Sequence, residues 1–410
     1  MEAATADEAP AKACSSFSKA LFLDEIHEDL VFPWPQPDRA EQDRIRALVA
    51  SVRELAESID PREIEEKRWI GDDLVRELGE RGLCGLYVPE EYGGQGLSQT
   101  GYARVFETFT EIDASLSIVM GVHQSIGFKG IAMFGTDEQK ERFLPDLAAG
   151  RKLAGFALSE PSAGSDAYNI ESRAVREPDG SWRLNGEKRF IGNGGKGSVF
   201  TTFARCEIDG KDRHIALILE KGMKGFEVGE RYDTMGLRGN DLRPLYFRDV
   251  KVPPENVLGE PGDGFRIAMA VLNNGRIGLG TGSVGATKGL LDRILDHVMD
   301  RRQFGGPLAD LELVQDKIGW MVSYLFGVES MTYLTCGLVD RGVPDYWNRR
   351  SARCRERSSC GTPPTGCSSS RAARATCATS PTSAFSATSA SSQSSRAPTT
   401  CCARSSRCRG

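Results

Sequence analysis

Two short blocks carry the residue types best suited to holding a ligand. The first, Leu158-Ser159-Glu160-Pro161, leaves an apolar run and hands over to Ser162-Ala163-Gly164-Ser165-Asp166. Small residues let the backbone come close to a ligand, and hydroxyls with free N–H groups bind an anion such as a pyrophosphate. The second block, Lys188-Arg189-Phe190-Ile191-Gly192-Asn193-Gly194-Gly195, sets an aromatic beside glycines, as suits a flat ring lying against backbone. Between them, residues 172–175 and 181–184 alternate like strands around the turn triplet Pro178-Asp179-Gly180. Taken alone, such Gly-Ser loops are more often plain turns than binding sites.

The elements that must position these blocks follow from periodicity. Residues 1–37 read as a loose arm, because FPWPQPD with its three prolines cannot sit inside a helix. From Arg39, apolar residues at Ile45, Leu48, Val49, Val52, Leu55 and Ile59 have the spacing of an amphipathic helix. Further helices are expected over 72–81, closed by Gly82, over 102–110 and 115–134, and over 137–149, begun by Thr136 and ended by Gly150. Gly93, Gly94 and Gly96 are expected to take unusual backbone angles. His123 and Gln124 fall mid-helix, where a lone histidine more often packs than binds. From Gly155 to about Val252 the pattern becomes alternation with turns, with strands at 199–205, 215–220 and 245–247. Helical periodicity returns at Gly264 and holds through 290–300 and 311–340. Helices, then strands, then helices imply an α+β multidomain chain: 38–154 helical, 155–262 β and 263–346 helical.

The string ALSEPSAGSD, followed by NGEKRFIGNGG, resembles the flavin-binding signature of the acyl-CoA dehydrogenase family. The resemblance runs from about Asp38 to Tyr346 and looks closest to the longer-chain members. It takes in MGLR at 235–238, FRDVKVPPENVLGEPGDGF at 247–265, NNGR at 273–276 and RRQFG at 301–305. It implies an N-terminal α-helical domain, a middle β-domain and a C-terminal helical bundle, incomplete here. It also implies FAD as cofactor, a fatty acyl-CoA substrate, an electron-transfer flavoprotein as electron acceptor and, if the C-terminal reading frame is restored, a homodimer or homotetramer. In that family a glutamate takes the α-proton of the thioester while hydride leaves the β-carbon.

Carried over by motif, Leu158 and Ser159 contact the pyrimidine end of the flavin, and Gly164 and Ser165 line the pyrophosphate and acyl-CoA entrance. Phe190, Ile191 and Gly192 lie along the ring. Many members have Trp at the position of Phe190 and Thr at that of Gly192, so a hydroxyl near flavin N5 is lost. An acyl-CoA oxidase is therefore an alternative. Arg276 matches an arginine near the active centre, with a solvated helix arginine as the plain alternative. Arg301, Gln303 and Phe304 match a segment that reaches the FAD of a partner subunit, and Gln315 follows on the adenine side. A helix end with a Gly stop fits the same residues.

The catalytic glutamate is missing from both places where the family puts it. One is Gly275. The other lies in the last stretch, 347–410, which holds eleven arginines, no lysine, one acid (Glu356) and no Val, Ile, Leu or Met. Such a segment cannot bury enough apolar surface to offset the entropy of ordering. It reads either as a natural disordered tail or as a reading-frame error near residue 347. Shifted by one nucleotide, 372–381 is compatible with GGKGYMRDEP and 395–400 with FEGAND, both like C-terminal segments of the family. The glutamate then falls at the position written Arg396. A genuinely missing glutamate would instead favour a non-catalytic flavin-binding or assembly protein.

The formal net charge of −5 gives no case for nucleic acid or an anionic membrane, and no apolar run approaches spanning length. Cys14, Cys84, Cys206 and Cys336 are scattered without metal spacing, so no metal site is expected, and a reducing compartment is. The opening MEAATADEAPAKAC lacks the features of a signal or transit peptide, and a cytoplasmic location is expected.

Overall fold

The computed structural model describes Phe17 and residues 25–343. The tail from 347, Arg396 and the reading-frame argument lie outside the described residues. Helices come first: α1 (Arg39–Ala56), α2 (Pro61–Lys67), α3 (Asp72–Glu80), α4 (Gln99–Ile112), α5 (Ala114–Gly121), α6 (Lys129–Phe134) and α7 (Asp137–Ala148). Their starts follow local chemistry. Asp38, Ser98 and Asp113 each accept a backbone N–H of the helix they open, and Thr136 forms a reciprocal capping box with Gln139. The apolar stripe of α1 is buried as its spacing predicts, with Val52 and Leu55 almost fully enclosed.

Three expectations are corrected here. Residues 115–134 are not one helix. Between α5 and α6 the chain widens into a π-helical segment, Val122–Gly127, and no proline marks the change in sequence. Of the three glycines at 93–96, Gly94 keeps an ordinary angle. Its role is steric, since a β-carbon there would sit 2.1 Å from the Val88 carbonyl oxygen. The arm is also less loose than its prolines imply. Over 25–37 it docks on the last long helix, where Pro35 packs so closely on Gly337 that no side chain fits between them.

A curled, eight-stranded sheet follows: β1 (Leu153–Ala157), β2 (Arg173–Arg176), β3 (Trp182–Ile191), β4 (Gly197–Ile208), β5 (Lys211–Glu220), β6 (Phe226–Val228), β7 (Arg243–Val252) and β8 (Val257–Gly262). The path is β6-β7-β3-β2-β4-β5-β8, with β1 parallel to β4. Both faces are covered. Along β5, Ile215, Leu217 and Leu219 enter one core while Ala216 and Ile218 enter the core shared with α6 and α7. Hence its run of apolar residues reads as continuous rather than alternating.

The chain returns to helix with α8 (Gly264–Asp300), then a two-stranded turn of β9 (Arg302–Gln303) and β10 (Gly306–Pro307), and α9 (Glu312–Asp340). Glycines on α8 let it lie against α4. At Gly285 a β-carbon would meet the Glu107 carbonyl oxygen at 2.1 Å. That close crossing fixes the height of α8 over the π-helical segment. No helix among the described residues is long and apolar enough to cross a membrane.

Candidate functional site

The two blocks singled out by sequence meet at the end of the sheet. Past β1, the turn at Glu160 and Ala163 is closed by a pair of backbone hydrogen bonds, and Ser159 accepts from Arg189 N–H at 2.8 Å. Ser162, Gly164 and Ser165 face solvent, and Gly164 has open space on its β-carbon side. Leu158 is buried and Ser159 half-buried.

On β3 the pairing with β7 slips. Lys188 faces Leu245 and Ile191 faces Arg243, so two residues of β3 oppose the single residue Pro244. Proline cannot donate to a ladder, and a bulge is where a strand tolerates it. The bulge turns Phe190 out of the sheet into the left-handed region (φ 56°), leaving the residue 61% exposed and its ring 5.0 Å from that of Tyr232. Bulky residues rarely hold such angles, and they persist where the surroundings over-determine them. Ile191 points the other way, into the sheet core, so only its backbone can reach a ligand.

Behind these residues stands the π-helical segment. A β-carbon on Gly192 would meet Val122 at 3.0 Å, and one on Gly275 would meet Ile126 at 2.7 Å. This segment is the wall that joins the loop blocks to α8, and insertions of this kind concentrate at functional sites. Arg276, next along α8, is half-buried and bonded to the Asn273 side chain. Asn193 (φ 57°) clamps the Val119 and Ala154 carbonyls at 3.0 and 3.2 Å. Asp241 accepts from Gly195 and Lys196 N–H, both at 2.7 Å. The buried Oδ1 of Asn240 has no hydrogen-bond partner among the described residues and lies 3.7 Å from where a β-carbon on Gly192 would be.

Val122, Ile126 and Asn240 line the candidate site beside Gly192 and Gly275, and sequence reasoning did not single them out. Pro244, within a strand, was the one readable sign of the bulge beside them. His123 and Gln124 are internal fasteners rather than ligand contacts. His123 accepts from Ala154 N–H at 2.9 Å through Nδ1 and donates to the Leu147 carbonyl at 3.0 Å. Burial pushes its pKa down to about 4. Gln124 spans Leu86 N–H and the Leu83 carbonyl.

Arg301, Gln303, Phe304 and Gln315 are not brought to this cluster. Twenty-five residues of helix, roughly 37 Å at about 1.5 Å each, separate Arg276 from Arg301. Arg301 caps the end of α8, and Phe304 (φ 56°) stands 94% exposed at the tip between β9 and β10. Gln315 sits in the first turn of α9 and donates to the Ala309 carbonyl.

The site is poor in free carboxylates. Among the described residues, the buried acids are Glu41, Glu107, Glu160 and Asp241. Glu41 accepts Ser98 N–H, Glu107 holds Lys288 and Tyr333, Glu160 holds Lys188, and Asp241 holds Arg243. The buried thiols are pushed up by desolvation, Cys84 to about 12 and Cys206 to about 11, and are inert packing groups.

Three family models match in succession: acyl-CoA dehydrogenase N-terminal domain over 40–151, middle domain over 155–250 and C-terminal domain over 262–355. The last runs somewhat past Tyr346, where the resemblance read from the sequence ends. The human mitochondrial very long-chain specific acyl-CoA dehydrogenase is 40% identical over 347 residues, covering 82% of this chain and 53% of that protein. The chain thus spans about half the length of this curated relative and of its counterpart in Mus musculus. Among solved structures, butyryl-CoA dehydrogenase from Megasphaera elsdenii superposes with a TM-score of 0.75 at 32% identity, covering 79% of this chain and 86% of that one. An acyl-CoA dehydrogenase complexed with FAD from Bacillus anthracis gives 0.71 at 32% identity, over 83% of this chain and 59% of that one.

Proposed function

The chain belongs to the acyl-CoA dehydrogenase family, a family of FAD-binding oxidoreductases, and we propose that it is built for α,β-dehydrogenation of fatty acyl-CoA thioesters. The observation that carries this reading is the meeting of the two blocks around an outward-turned, exposed aromatic.

The residues fit FAD. Phe190 offers an apolar face held out by a bulge, Gly164 leaves room for close backbone approach, and Asn240 Oδ1 is a buried acceptor without a donor among the described residues. Leu158, Ser159, Phe190, Gly192 and the backbone of Ile191 would hold the ring, and Gly164 and Ser165 the pyrophosphate. Arg301, Gln303, Phe304 and Gln315 would serve the cofactor of a partner subunit, since they stand far from this chain's own cluster. Bound FAD would supply the acceptor for the hydride that leaves the β-carbon of the substrate.

This chain's residues would then have three tasks. Phe190 and the π-helical wall exclude water from the reacting carbons. Arg276 and the start of α8 line the acyl side. A base must take the α-proton, and general-base catalysis typically contributes about 10²–10⁴-fold. Every buried carboxylate among the described residues is already engaged, and Gly275 has no side chain to offer. Arginine cannot serve at the position written Arg396, because it stays protonated at any working pH. The chain as written is therefore proposed to dehydrogenate poorly, and a frame restored near residue 347 to return the glutamate. Electrons would pass to an electron-transfer flavoprotein.

The test compares acyl-CoA turnover by the written and frame-restored chains with an artificial electron acceptor. The restored chain should be faster by two orders of magnitude or more. Equal rates would mean that another carboxylate is the base. Running the same assay with oxygen as sole acceptor separates the oxidase reading, suggested by the missing hydroxyl at Gly192, through hydrogen peroxide release.

A further inference from the structure

Lys188 and Glu160 form an ion pair that is shut away from solvent, with side chains 0% and 2% exposed and Nζ to Oε1 at 2.6 Å. The lysine comes from the second block and the glutamate from the first. Lys188 also donates to the Leu158 carbonyl at 3.2 Å. Glu160 spends its remaining capacity on backbone, accepting Ser172 N–H at 3.1 Å and Glu171 N–H. Burial alone would raise the Glu160 carboxyl, but the Lys188 ammonium and these donors hold it below the usual range. Burial brings Lys188 down to about 8 against the pull of Glu160.

A buried pair of this kind is a poor source of stability, because desolvation cancels much of the attraction. Its geometry gives it another use. The loop after β1 leaves the sheet at Leu158, where strand pairing no longer fixes it. The pair, the Leu158 carbonyl and the Ser159–Arg189 bond together set where that loop lies against β3. The bulge starts at the next residue, so the inward anchor at Lys188 is the fixed point from which Phe190 is turned outward.

Resting on the flavin reading above, we propose that Lys188 and Glu160 are positioning residues. They hold the 158–160 loop and the Phe190 bulge at the separation needed to grip the two sides of one flavin ring, without touching it.

The test uses the full-length chain, as written and with its frame restored, and a double variant, Lys188→Met with Glu160→Gln. Removing both charges avoids an unpaired buried ion, and the amide still accepts the backbone N–H groups. The double variant should fold with an unchanged far-ultraviolet spectrum. It should bind FAD at least tenfold more weakly, and the visible absorption and circular dichroism of any bound flavin should shift. A double variant that does not fold, or that binds FAD with the parent's affinity and spectrum, overturns the proposal. If neither parent form takes up FAD, the flavin reading itself fails, and that outcome is seen before any variant is made.

Discussion

At the level of single residues, the crossing of α8 and α4 depends on glycines that differ sharply in the room around them. Gly285 faces backbone, the Glu107 carbonyl oxygen, which cannot move aside. Gly278 faces the Ser125 side chain at 3.7 Å, an ordinary contact. Gly285→Ala should therefore destabilise by about 1–3 kcal/mol through overpacking. Gly278→Ala should gain up to about 1 kcal/mol, the difference in helix propensity. Urea midpoints for the two variants decide this, and shifts of the same sign would mean that the crossing is not set by these contacts. The sequence shows glycines along α8 but cannot rank them, because the ranking depends on a partner helix far along the chain.

At the level of elements, His123 links the π-helical segment to α7 and β1 in its neutral form. Its Nδ1 must stay unprotonated to accept Ala154 N–H. Unfolded, the imidazole takes a proton near its ordinary 6.5, whereas folded it resists to about 4. The unfolded state thus binds more protons between those values. The contribution is complete above pH 6.5 and is lost as the pH falls towards 4, by about 3 kcal/mol in all. Unfolding free energies at pH 7 and pH 4.5 should show this slope in the parent, and His123→Gln should flatten it. Equal slopes in the two would remove His123 as the source.

Element boundaries divide by what local chemistry can signal. The stripe of α1 and the capping box at Thr136 were readable because both lie within a few residues. Ile191 was read as a ring contact, yet the alternation across the bulge sends its side chain into the core. The π-helical widening and the burial of Asn240 are tertiary outcomes with no local signature. The two ligand blocks were legible as motifs, but that Lys188 anchors one to the other was not.

For the whole molecule, the described helices of the first and last regions are stitched together at Asp340. Its carboxylate accepts Gln99 N–H at 2.6 Å, Thr100 N–H at 3.0 Å and the Thr100 hydroxyl at 2.6 Å, a second cap on α4 supplied from the end of α9. Arg341, one residue on, holds the Asp29 and Leu30 carbonyls of the arm. Charge-assisted bonds at a helix N-terminus are worth about 1–3 kcal/mol together. Asp340→Ala should lower stability by that amount and speed amide exchange in the first turn of α4 as well as in α9. Exchange altered in α9 alone would show that the two regions are not coupled there.

That stitch also has a timetable. Gln99 and Asp340 are 241 residues apart. At a synthesis rate of about 5–20 residues per second, α4 waits roughly 10–50 s on the ribosome for its second cap. For most of that interval the face of α4 that will receive α8 and α9 stands bare, until first Lys288 and then Tyr333 are made to meet Glu107. Surface left uncovered for so long is prone to aggregation, and a message whose frame fails soon after Asp340 would fail only once this stitch has been translated.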